Sequence, residues 1–345
     1  GENPENAQQC RPKKLPRTDA KAESGDKAAS VSAGAEAEKP AIHGTGSVGE
    51  CFRETSIDDI ASVVRAARSV VVLTGAGVSL ASGIPTYRGS EGFWTIGSHN
   101  YTPQAIATNR MFRDRPRECW KYFVERHLQC KAAKPNEAHK AIAGLEKLVQ
   151  AGGGTFTLIS QNVDGLHLRA GSKPLEIHGS LSFVRCLNDE CDGANMLFPF
   201  PCSADLEGKD PKLVMCTRCK TFPVRPSVLF FDECYDEDIY KADSAHRAVD
   251  NADLLIVAGT QGCTNLPSAL IAIAAQNEID VVDIDPNLSD PILDHFHHQR
   301  PLMWVNDKAE VAFPRLNEVL ERATDPGAQR TPSKTSRRPK PGCGF

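Results

Sequence analysis

The stretch LTGAGVSLASGIPTYRG, residues 73–89, follows the strand-like Val70-Val71-Val72 and sets how the chain begins to fold. Gly75-Ala76-Gly77 stands between this strand and a helical pattern, which is half of a dinucleotide-binding fingerprint. Glycines let the backbone approach a pyrophosphate, and a helix N-terminus favours the charge of that group. The third glycine of the fingerprint is absent, because Leu80 occupies its position. The stretch therefore predicts either a phosphate cradle or a plain turn from strand to helix.

The same stretch runs on from Gly83 to Gly89, which is too long for an ordinary turn. Its glycines and Pro85 predict a loop. Arg88 in this loop has a forked set of donors that suits a phosphate, although a surface salt bridge is the commoner fate of an arginine.

Short apolar strands alternate with amphipathic helices along the rest of the chain. Strands are predicted at 69–73, Thr155–Ser160, Leu254–Ala258 and 279–284, and helices after Ser56, at 137–149 and at 266–276. Near-continuous apolar strands separated by helices indicate a parallel sheet covered on both faces, and therefore an α/β fold. Such sheets bind ligands at the carboxyl ends of their strands, which is where Gln161, Gly259 and Asp285 fall.

Polar side chains cluster directly after the second of these strands. Gln161, Asn162 and Asp164 could simply form a turn, or they could hold ribose hydroxyls and a carboxamide. Further on, His178 stands beside the flexible Gly179. A lone histidine of this kind is either structural or catalytic.

Twelve cysteines are present, and four of them form two pairs, Cys186/Cys191 and Cys216/Cys219. This distribution favours an intracellular protein with one metal site over a secreted disulfide framework. The segment from Cys186 to about Arg225 is rich in proline and has few periodic apolar positions. It is predicted to be a small module inserted into the sheet domain.

The two ends of the chain have a composition typical of disorder. Residues 1–50 contain no aromatic residue, and residues 323–345 are basic and proline-rich. The basic tail could be a nuclear localisation signal, a segment that binds anions or a solvated segment without a ligand. The net charge of −4 argues against nucleic-acid binding by the body, and no apolar run approaches the roughly 18 residues that span a bilayer. We expect an intracellular protein of the nucleus, cytoplasm or mitochondrion, without a signal peptide.

In combination, the motifs resemble those of the sirtuins, the NAD-dependent protein-lysine deacylases. GAGVSLASGIPTYRG, QNVDGLH, HGS, the two cysteine pairs, RPSVLFFDE and GTQ occur in the order and spacing of that family, over residues 56–320. The resemblance implies a Rossmann-like domain over residues 51–322 with a small zinc module at about 183–225. NAD and an acyl-lysine peptide would meet between the two, and nicotinamide and O-acyl-ADP-ribose would be released.

The resemblance also implies roles for individual residues. His178 would be the general base, with Asn162 as a second catalytic residue. An acyl-lysine peptide would lie along residues 228–233, with Val228, Phe230 and Phe231 in contact. The residues implied in NAD binding are Gly75, Ala76, Gly77, Thr86, Tyr87, Arg88, Trp94, Gln161, Asn162, Val163, Asp164, Gly259, Thr260, Gln261, Asp285 and Ala309.

The two cysteine pairs can form an all-cysteine tetrahedron, which is typical of a structural zinc ion. The alternative is a set of unrelated buried thiols. Cys202 lies between the pairs and could replace Cys191 as a ligand.

Several positions depart from the common family pattern, namely Leu80, Ser160, Asp232, Gln261 and Asp285. None of them is His178 or a member of the polar cluster at 161–164. An active enzyme is therefore expected, with an altered affinity for NAD.

Residues 119–139 resemble the sirtuin branch that removes succinyl, malonyl and glutaryl groups through a Tyr-x-x-Arg pair. The matching positions are Phe123 and Arg126, so the hydroxyl is missing and the guanidinium is kept. Ordinary core packing of Phe123 and an exposed charge at Arg126 are the alternatives. We predict a deacylase with some capacity for acidic acyl groups, with a plain deacetylase as the alternative.

Two other functions fit the same motifs. A mono-ADP-ribosyltransferase would use the same NAD pocket with a different acceptor. A non-catalytic NAD-sensing scaffold would have no need of a base at His178.

Overall fold

A computed structural model describes residues 51–86, 94–96, 99–201, 213–297 and 300–324. The disorder predicted for residues 1–50 and for the tail falls outside this part, apart from the end of the last helix. So do the predicted roles of Tyr87, Arg88 and Cys202. Trp94 is described only as part of a strand backbone.

Twelve strands and ten α-helices make up the described chain. The strands are β1 Phe52–Glu54, β2 Ser69–Thr74, β3 Trp94–Ile96, β4 His99–Tyr101, β5 Thr155–Ser160, β6 Leu175–Glu176, β7 Gly179–Cys186, β8 Phe198–Pro199, β9 Val224–Val228, β10 Leu254–Ala258, β11 Asp280–Ile284 and β12 Leu302–Val305. The helices are α1 Ile57–Ala66, α2 Pro103–Ile106, α3 Asn109–Asp114, α4 Pro116–Ala132, α5 Glu137–Ala151, α6 Leu166–Ala170, α7 Ala242–Asp250, α8 Asn265–Gln276, α9 Asp290–Leu293 and α10 Ala309–Thr324. The predicted strands and helices are confirmed, with shifts of one or two residues at their ends.

A seven-stranded parallel sheet in the order β1-β12-β11-β10-β2-β5-β6 forms the centre of the fold. Side chains of β2 alternate between its faces: Val70 and Val72 pack with helices α1, α5 and α10, whereas Val71 and Leu73 pack with α7 and α8. Because both faces are covered, four successive residues of the strand, 70–73, are apolar. The predicted α/β class is confirmed.

One difference concerns the helix expected after the glycine loop. Residues Ala76–Ser82 form a 3-10 helix, and it ends at Gly83, which adopts the left-handed conformation at φ 80°. A 3-10 turn is tighter than an α-turn and is used in short pieces. The helix after β2 is therefore only seven residues long and ends in a left-handed turn.

A second, smaller sheet in the order β8-β7-β9 lies beyond the main one. It packs with α4 around a separate apolar cluster that includes Trp120, Val184 and Phe230. This sheet takes in residues 179–228, and so begins slightly before the predicted inserted module. None of the described helices is both long and apolar enough to cross a bilayer.

The main sheet contains one buried carboxyl group, on Asp283 of β11. Its side chain is fully buried, and neither of its oxygens has a hydrogen-bond partner. Burial, together with the nearby Asp285 carboxylate, raises the pKa of Asp283 well above its ordinary value of 3.8. The folded state holds the Asp283 proton more tightly than the unfolded state does, so this proton contributes to stability below pH 3.8. The contribution is lost as the pH rises from there through the folded-state pKa.

Replacing Asp283 with asparagine is therefore expected to stabilise the protein increasingly as the pH rises above 3.8. The unfolding free energy of the variant, relative to that of the wild type, should rise by about 1.4 kcal/mol per pH unit. This slope should hold while the folded wild type keeps the proton on Asp283. Urea unfolding across a pH series measures this slope. Asp280→Asn on the same strand, where the carboxylate is half exposed, is the matched control. A difference that does not vary with pH would contradict the prediction.

Candidate active-site cleft and metal centre

The carboxyl ends of β2, β5, β10 and β11 open onto a cleft of about 530 Å³. The loops after these strands line it, together with the segment that follows β9. Many of the predicted site residues meet there: Ala76, Gly77, Thr86, Phe123, Gln161, Val163, His178, Val228, Phe230, Phe231, Gly259, Thr260, Gln261 and Asp285.

The glycines of the first loop are required by the packing of the second. A Cβ on Gly75 would lie 2.5 Å from the Thr260 Cβ, and one on Gly77 would lie 2.8 Å from the Gly259 Cα. The Gly77 N–H donates to the Gly259 carbonyl at 2.8 Å. Close approach of the two loops therefore explains these glycines, whether or not a phosphate lies beside them.

Two predicted residues lie behind the cleft rather than in its wall. Asn162 donates to the Gly75 carbonyl at 2.9 Å, and Asp164 accepts from the Ser79 hydroxyl at 2.7 Å. Both side chains are buried, and burial raises the pKa of the Asp164 carboxyl. Their observed contacts hold the glycine loop in place. Ser79 was not among the predicted residues, although it belongs to the glycine-loop motif.

Both ring nitrogens of His178 have partners. Nδ1 lies 2.9 Å from the Gln161 carbonyl oxygen, and Nε2 lies 2.9 Å from the Tyr235 hydroxyl. A carbonyl can only accept, so Nδ1 carries the hydrogen and Nε2 carries the lone pair. Burial lowers the pKa of His178 to about 4, against a smaller opposing effect of the Gln161 carbonyl. The imidazole is therefore neutral at physiological pH.

Several residues of this cleft were not found from the sequence, among them Tyr235 and Thr264. The Thr264 hydroxyl lies 3.4 Å from Gln161 Oε1, and the Thr260 hydroxyl lies 3.3 Å from the same oxygen. No motif marks Tyr235, because its contact with His178 joins positions 57 residues apart. Only the fold brings these groups together.

The acyl-pocket candidates on α4 are both buried. Phe123 lines the cleft and stacks on Phe230 with ring centroids 5.5 Å apart. Arg126 is only 7% exposed, so the alternative of an exposed helix charge is wrong. Its guanidinium donates to the Pro85 carbonyl at 3.4 Å and to Gln129 Oε1 at 3.3 Å. Arg126 is not itself part of the cleft wall.

A buried ion pair fixes the segment that follows β9. Arg225 is 1% exposed and forms a salt bridge with Glu233, whose carboxylate also accepts from the Phe230 N–H at 2.9 Å. The Leu229 N–H donates to the His178 carbonyl, and the Phe231 N–H donates to the Ala107 carbonyl, both at 2.9 Å. These N–H groups are therefore already used within the chain.

The two predicted residues furthest along the chain lie in different places. Asp285 lines the cleft, where it accepts from the Asn287 N–H at 2.9 Å, and burial raises the pKa of its carboxyl. Ala309 is the first residue of α10 and packs into the main core. It is not part of the cleft wall.

The four paired cysteines form one cluster at the far end of the small sheet. All four Sγ atoms lie within 4.8 Å of one another, with Cys186 and Cys219 3.7 Å apart and Cys191 and Cys216 3.9 Å apart. A tetrahedral zinc ion with Zn–S bonds of about 2.3 Å requires sulfur separations of about 3.8 Å. The cluster is therefore compact enough to hold a tetrahedral zinc ion.

Backbone amides donate hydrogen bonds to three of the four cysteine sulfur atoms. The N–H groups of Asn188, Gly193 and Arg218 donate to Cys186, Cys191 and Cys216 respectively, at 3.2–3.4 Å. Such donors stabilise the negative charge that zinc ligands carry. The cysteines that the structure brings together are those of the two predicted pairs.

The chain is similar in sequence to proteins of one known family. Residues 75–264 match the model of the Sir2 family. The chain is 36% identical over 231 residues to "NAD-dependent protein deacylase 1" of Archaeoglobus fulgidus, which covers 67% of this chain and 86% of that protein. It is 37% identical over 221 residues to an "NAD-dependent protein deacylase" of Thermus thermophilus, covering 64% of this chain and 80% of that one.

Solved structures agree with the sequence comparison. A crystal structure of a Sir2 homologue in complex with NAD superposes with a TM-score of 0.66 at 32% identity, covering 79% of this chain and 96% of that one. A mutant Sir2 homologue in complex with 2′-O-acetyl ADP-ribose gives 0.64 at 33% identity, covering 77% and 96%. The resemblance drawn from the motifs is confirmed, and the chain belongs to the Sir2 family.

Proposed function

We propose that this chain is an NAD-dependent protein deacylase that transfers the acyl group of a lysine side chain to the ribose of NAD. The observation that supports this most directly is the neutral His178 in the cleft at the strand ends. The catalytic domain would span residues 51–322, with the zinc module at about 183–225. Its substrates would be acyl-lysine proteins or peptides.

His178 is suited to act as the general base in this reaction. Its Nδ1–H is held by the Gln161 carbonyl, which leaves Nε2 as the atom that accepts a proton. The acyl oxygen would attack C1′ of the nicotinamide ribose as nicotinamide leaves. His178 would then remove the proton of a ribose hydroxyl as that hydroxyl attacks the acyl carbon. Asn162 would act indirectly, by holding the glycine loop.

NAD would be held by the loops at the strand ends. The loops after β2 and β10 would surround its phosphates, and Gln161 would lie near the nicotinamide ribose. Asp285 would face the adenosine side, where its carboxylate can accept from ribose hydroxyls. The dense hydrogen bonding among Gln161, Thr260 and Thr264 supports a preformed pocket.

The acyl-lysine peptide would lie beside residues 228–233. Because three successive N–H groups there donate within the chain, the peptide would be held through carbonyls and through side chains. The Phe231 ring is 51% exposed and offers an apolar surface for it.

The test is to incubate the protein with NAD and an acetyl-lysine peptide and to identify the products by mass spectrometry. We expect nicotinamide, free lysine peptide and O-acetyl-ADP-ribose. ADP-ribose retained on protein, with the acetyl group intact, would favour the mono-ADP-ribosyltransferase alternative. Binding of NAD without any turnover of several acyl peptides would favour the scaffold.

We further propose that Arg126 gives the enzyme some capacity for acidic acyl groups. It lies one helical turn from Phe123, which lines the cleft, and its hydrogen bonds to Gln129 and Pro85 are 3.3 Å and 3.4 Å long. A carboxylate would offer it a shorter, charge-assisted bond.

Arg126→Met is expected to lower the ratio of desuccinylation to deacetylation by about tenfold or more, since a hydrogen bond to a charged group contributes about 1.5–3 kcal/mol. Lys131→Met, at an exposed cation on the same helix, is the matched control. Phe123→Tyr, which adds the missing hydroxyl, should raise the same ratio. Equal effects of Arg126→Met on both peptides would contradict the proposal.

A further inference from the structure

Tyr235 is a cleft residue to which neither the motifs nor the family resemblance gives a role. It lies just after the Glu233 that anchors residues 228–233, and its ring faces His178 with centroids 5.8 Å apart. Its hydroxyl lies 2.9 Å from His178 Nε2, the atom that must receive the ribose proton if His178 is the base.

The direction of this hydrogen bond follows from the partners of both groups. Nδ1 gives its hydrogen to the Gln161 carbonyl, so Nε2 has only a lone pair and the Tyr235 hydroxyl donates to it. Burial raises the pKa of Tyr235 to about 12 and lowers that of His178 to about 4. Both groups are neutral at physiological pH, so the bond from phenol to imidazole is the resting arrangement.

The oxygen of Tyr235 also lies near the N-terminus of α8. Against the larger opposing effect of burial, the Leu266 N–H, in the first turn of that helix, and the Thr264 hydroxyl lower the pKa of Tyr235. Donors at a helix N-terminus stabilise negative charge, so they would stabilise the phenolic oxygen while its proton is in transit. The Tyr235 hydroxyl gives its one hydrogen to His178, so its lone pairs can accept from a hydroxyl in the cleft.

The lone pair of His178 Nε2 is thus already engaged when a ribose hydroxyl arrives. A single sp² lone pair accepts one strong hydrogen bond, so the ribose hydroxyl must either displace Tyr235 or act through it. Tyr235 itself lines the cleft, so a ribose hydroxyl can reach its oxygen, which favours the second course.

We propose that Tyr235 relays the proton between the ribose hydroxyl and His178. The inference rests on the proposed role of His178 as the base. As the ribose oxygen forms its bond to the acyl carbon, its proton passes to the Tyr235 oxygen. The Tyr235 proton passes at the same time to His178 Nε2. Tyrosine is regenerated, the imidazole becomes imidazolium, and no other reactant is consumed.

The test compares Tyr235→Phe with the wild type in two assays. The first is exchange of labelled nicotinamide into NAD in the presence of acyl peptide, which reports the step before any base is needed. The second is formation of O-acyl-ADP-ribose, which requires the base. We expect Tyr235→Phe to keep exchange near the wild-type rate and to lose product formation by about 10²-fold or more, as for a group in general acid–base catalysis. Tyr101→Phe, which removes a hydroxyl bonded to Glu118 away from the cleft, is the matched control.

The other outcomes separate this inference from the function on which it rests. Product formation by Tyr235→Phe at or above the wild-type rate would mean that the hydroxyl only occupies the lone pair of His178 Nε2 until substrate binds. That result would overturn the relay. A parallel loss of exchange and product formation would indicate a structural role, and also overturns it. If His178→Ala leaves product formation unchanged, the role of His178 itself fails, whatever Tyr235→Phe does.

Discussion

Replacing Cys216 with serine is expected to abolish zinc binding and to unfold the small sheet. Four thiolates without an open coordination position form a structural site, and such sites contribute about 10–16 kcal/mol of apparent binding free energy. This is comparable to the whole stability of a typical domain, about 5–15 kcal/mol.

The loss should extend to the active-site cleft, because the small sheet joins the two sites. β7 runs from Gly179, next to His178, to Cys186 of the proposed zinc site. β9 begins after the second cysteine pair and ends at Val228, in the wall of the cleft. Loss of the metal would therefore release both His178 and the segment proposed to hold the peptide.

Metal content by mass spectrometry and thermal unfolding by circular dichroism measure this effect. We expect one zinc ion per wild-type chain and none bound tightly in Cys216→Ser, with a lower melting temperature and no deacylation. Cys51→Ser, outside the cluster, is the matched control. Parallel Cys191→Ser and Cys202→Ser variants test which of these is the fourth ligand. A Cys216→Ser protein that keeps one zinc ion and the wild-type melting temperature would refute a four-cysteine site.

Replacing His178 with alanine is expected to stop acyl transfer while leaving the first chemical step. Removal of the nicotinamide requires a dry, preorganised pocket, but no proton acceptor at Nε2. The ribose hydroxyl then attacks without a base, and general base catalysis contributes about 10²–10⁴-fold. Formation of O-acyl-ADP-ribose should fall by that factor, whereas nicotinamide exchange should continue.

The pH dependence of the wild type provides a second check on His178. Burial lowers the pKa of its imidazole to about 4, so Nε2 stays unprotonated through the weakly acidic range. Product formation should therefore lose no activity to His178 protonation until the pH falls towards that value. His246→Ala, on α7 and outside the cleft wall, controls for the loss of an imidazole. Unchanged product formation in His178→Ala would show that another group is the base.

Predictions for the sheet and for the metal centre came from patterns that are local in the sequence. The apolar run at 70–73 indicates a strand buried on both faces, and the structure places its side chains alternately against two layers of helices. The spacing of each cysteine pair likewise limits how far apart two thiols can lie. Local geometry of this kind is set by the backbone, and it does not depend on distant residues.

The glycines show where the same pattern has a different physical cause. The motif suggested that Gly75 and Gly77 admit a phosphate, and the structure shows that they also admit the loop at Gly259 and Thr260. A sequence pattern records that a Cβ is excluded at a position, but it does not record which neighbour excludes it.

The amino-acid sequence by itself determined the α/β class, four strands of the main sheet, the two cysteine pairs and the family. These follow from periodicity and from motifs whose residues are neighbours in the chain. Only the tertiary structure decided that Tyr235 meets His178, that Arg126 is buried and that Ala309 lies in the core. Such contacts join residues far apart in the chain, and their energies arise from desolvation and packing, which exist only once the fold has closed around them.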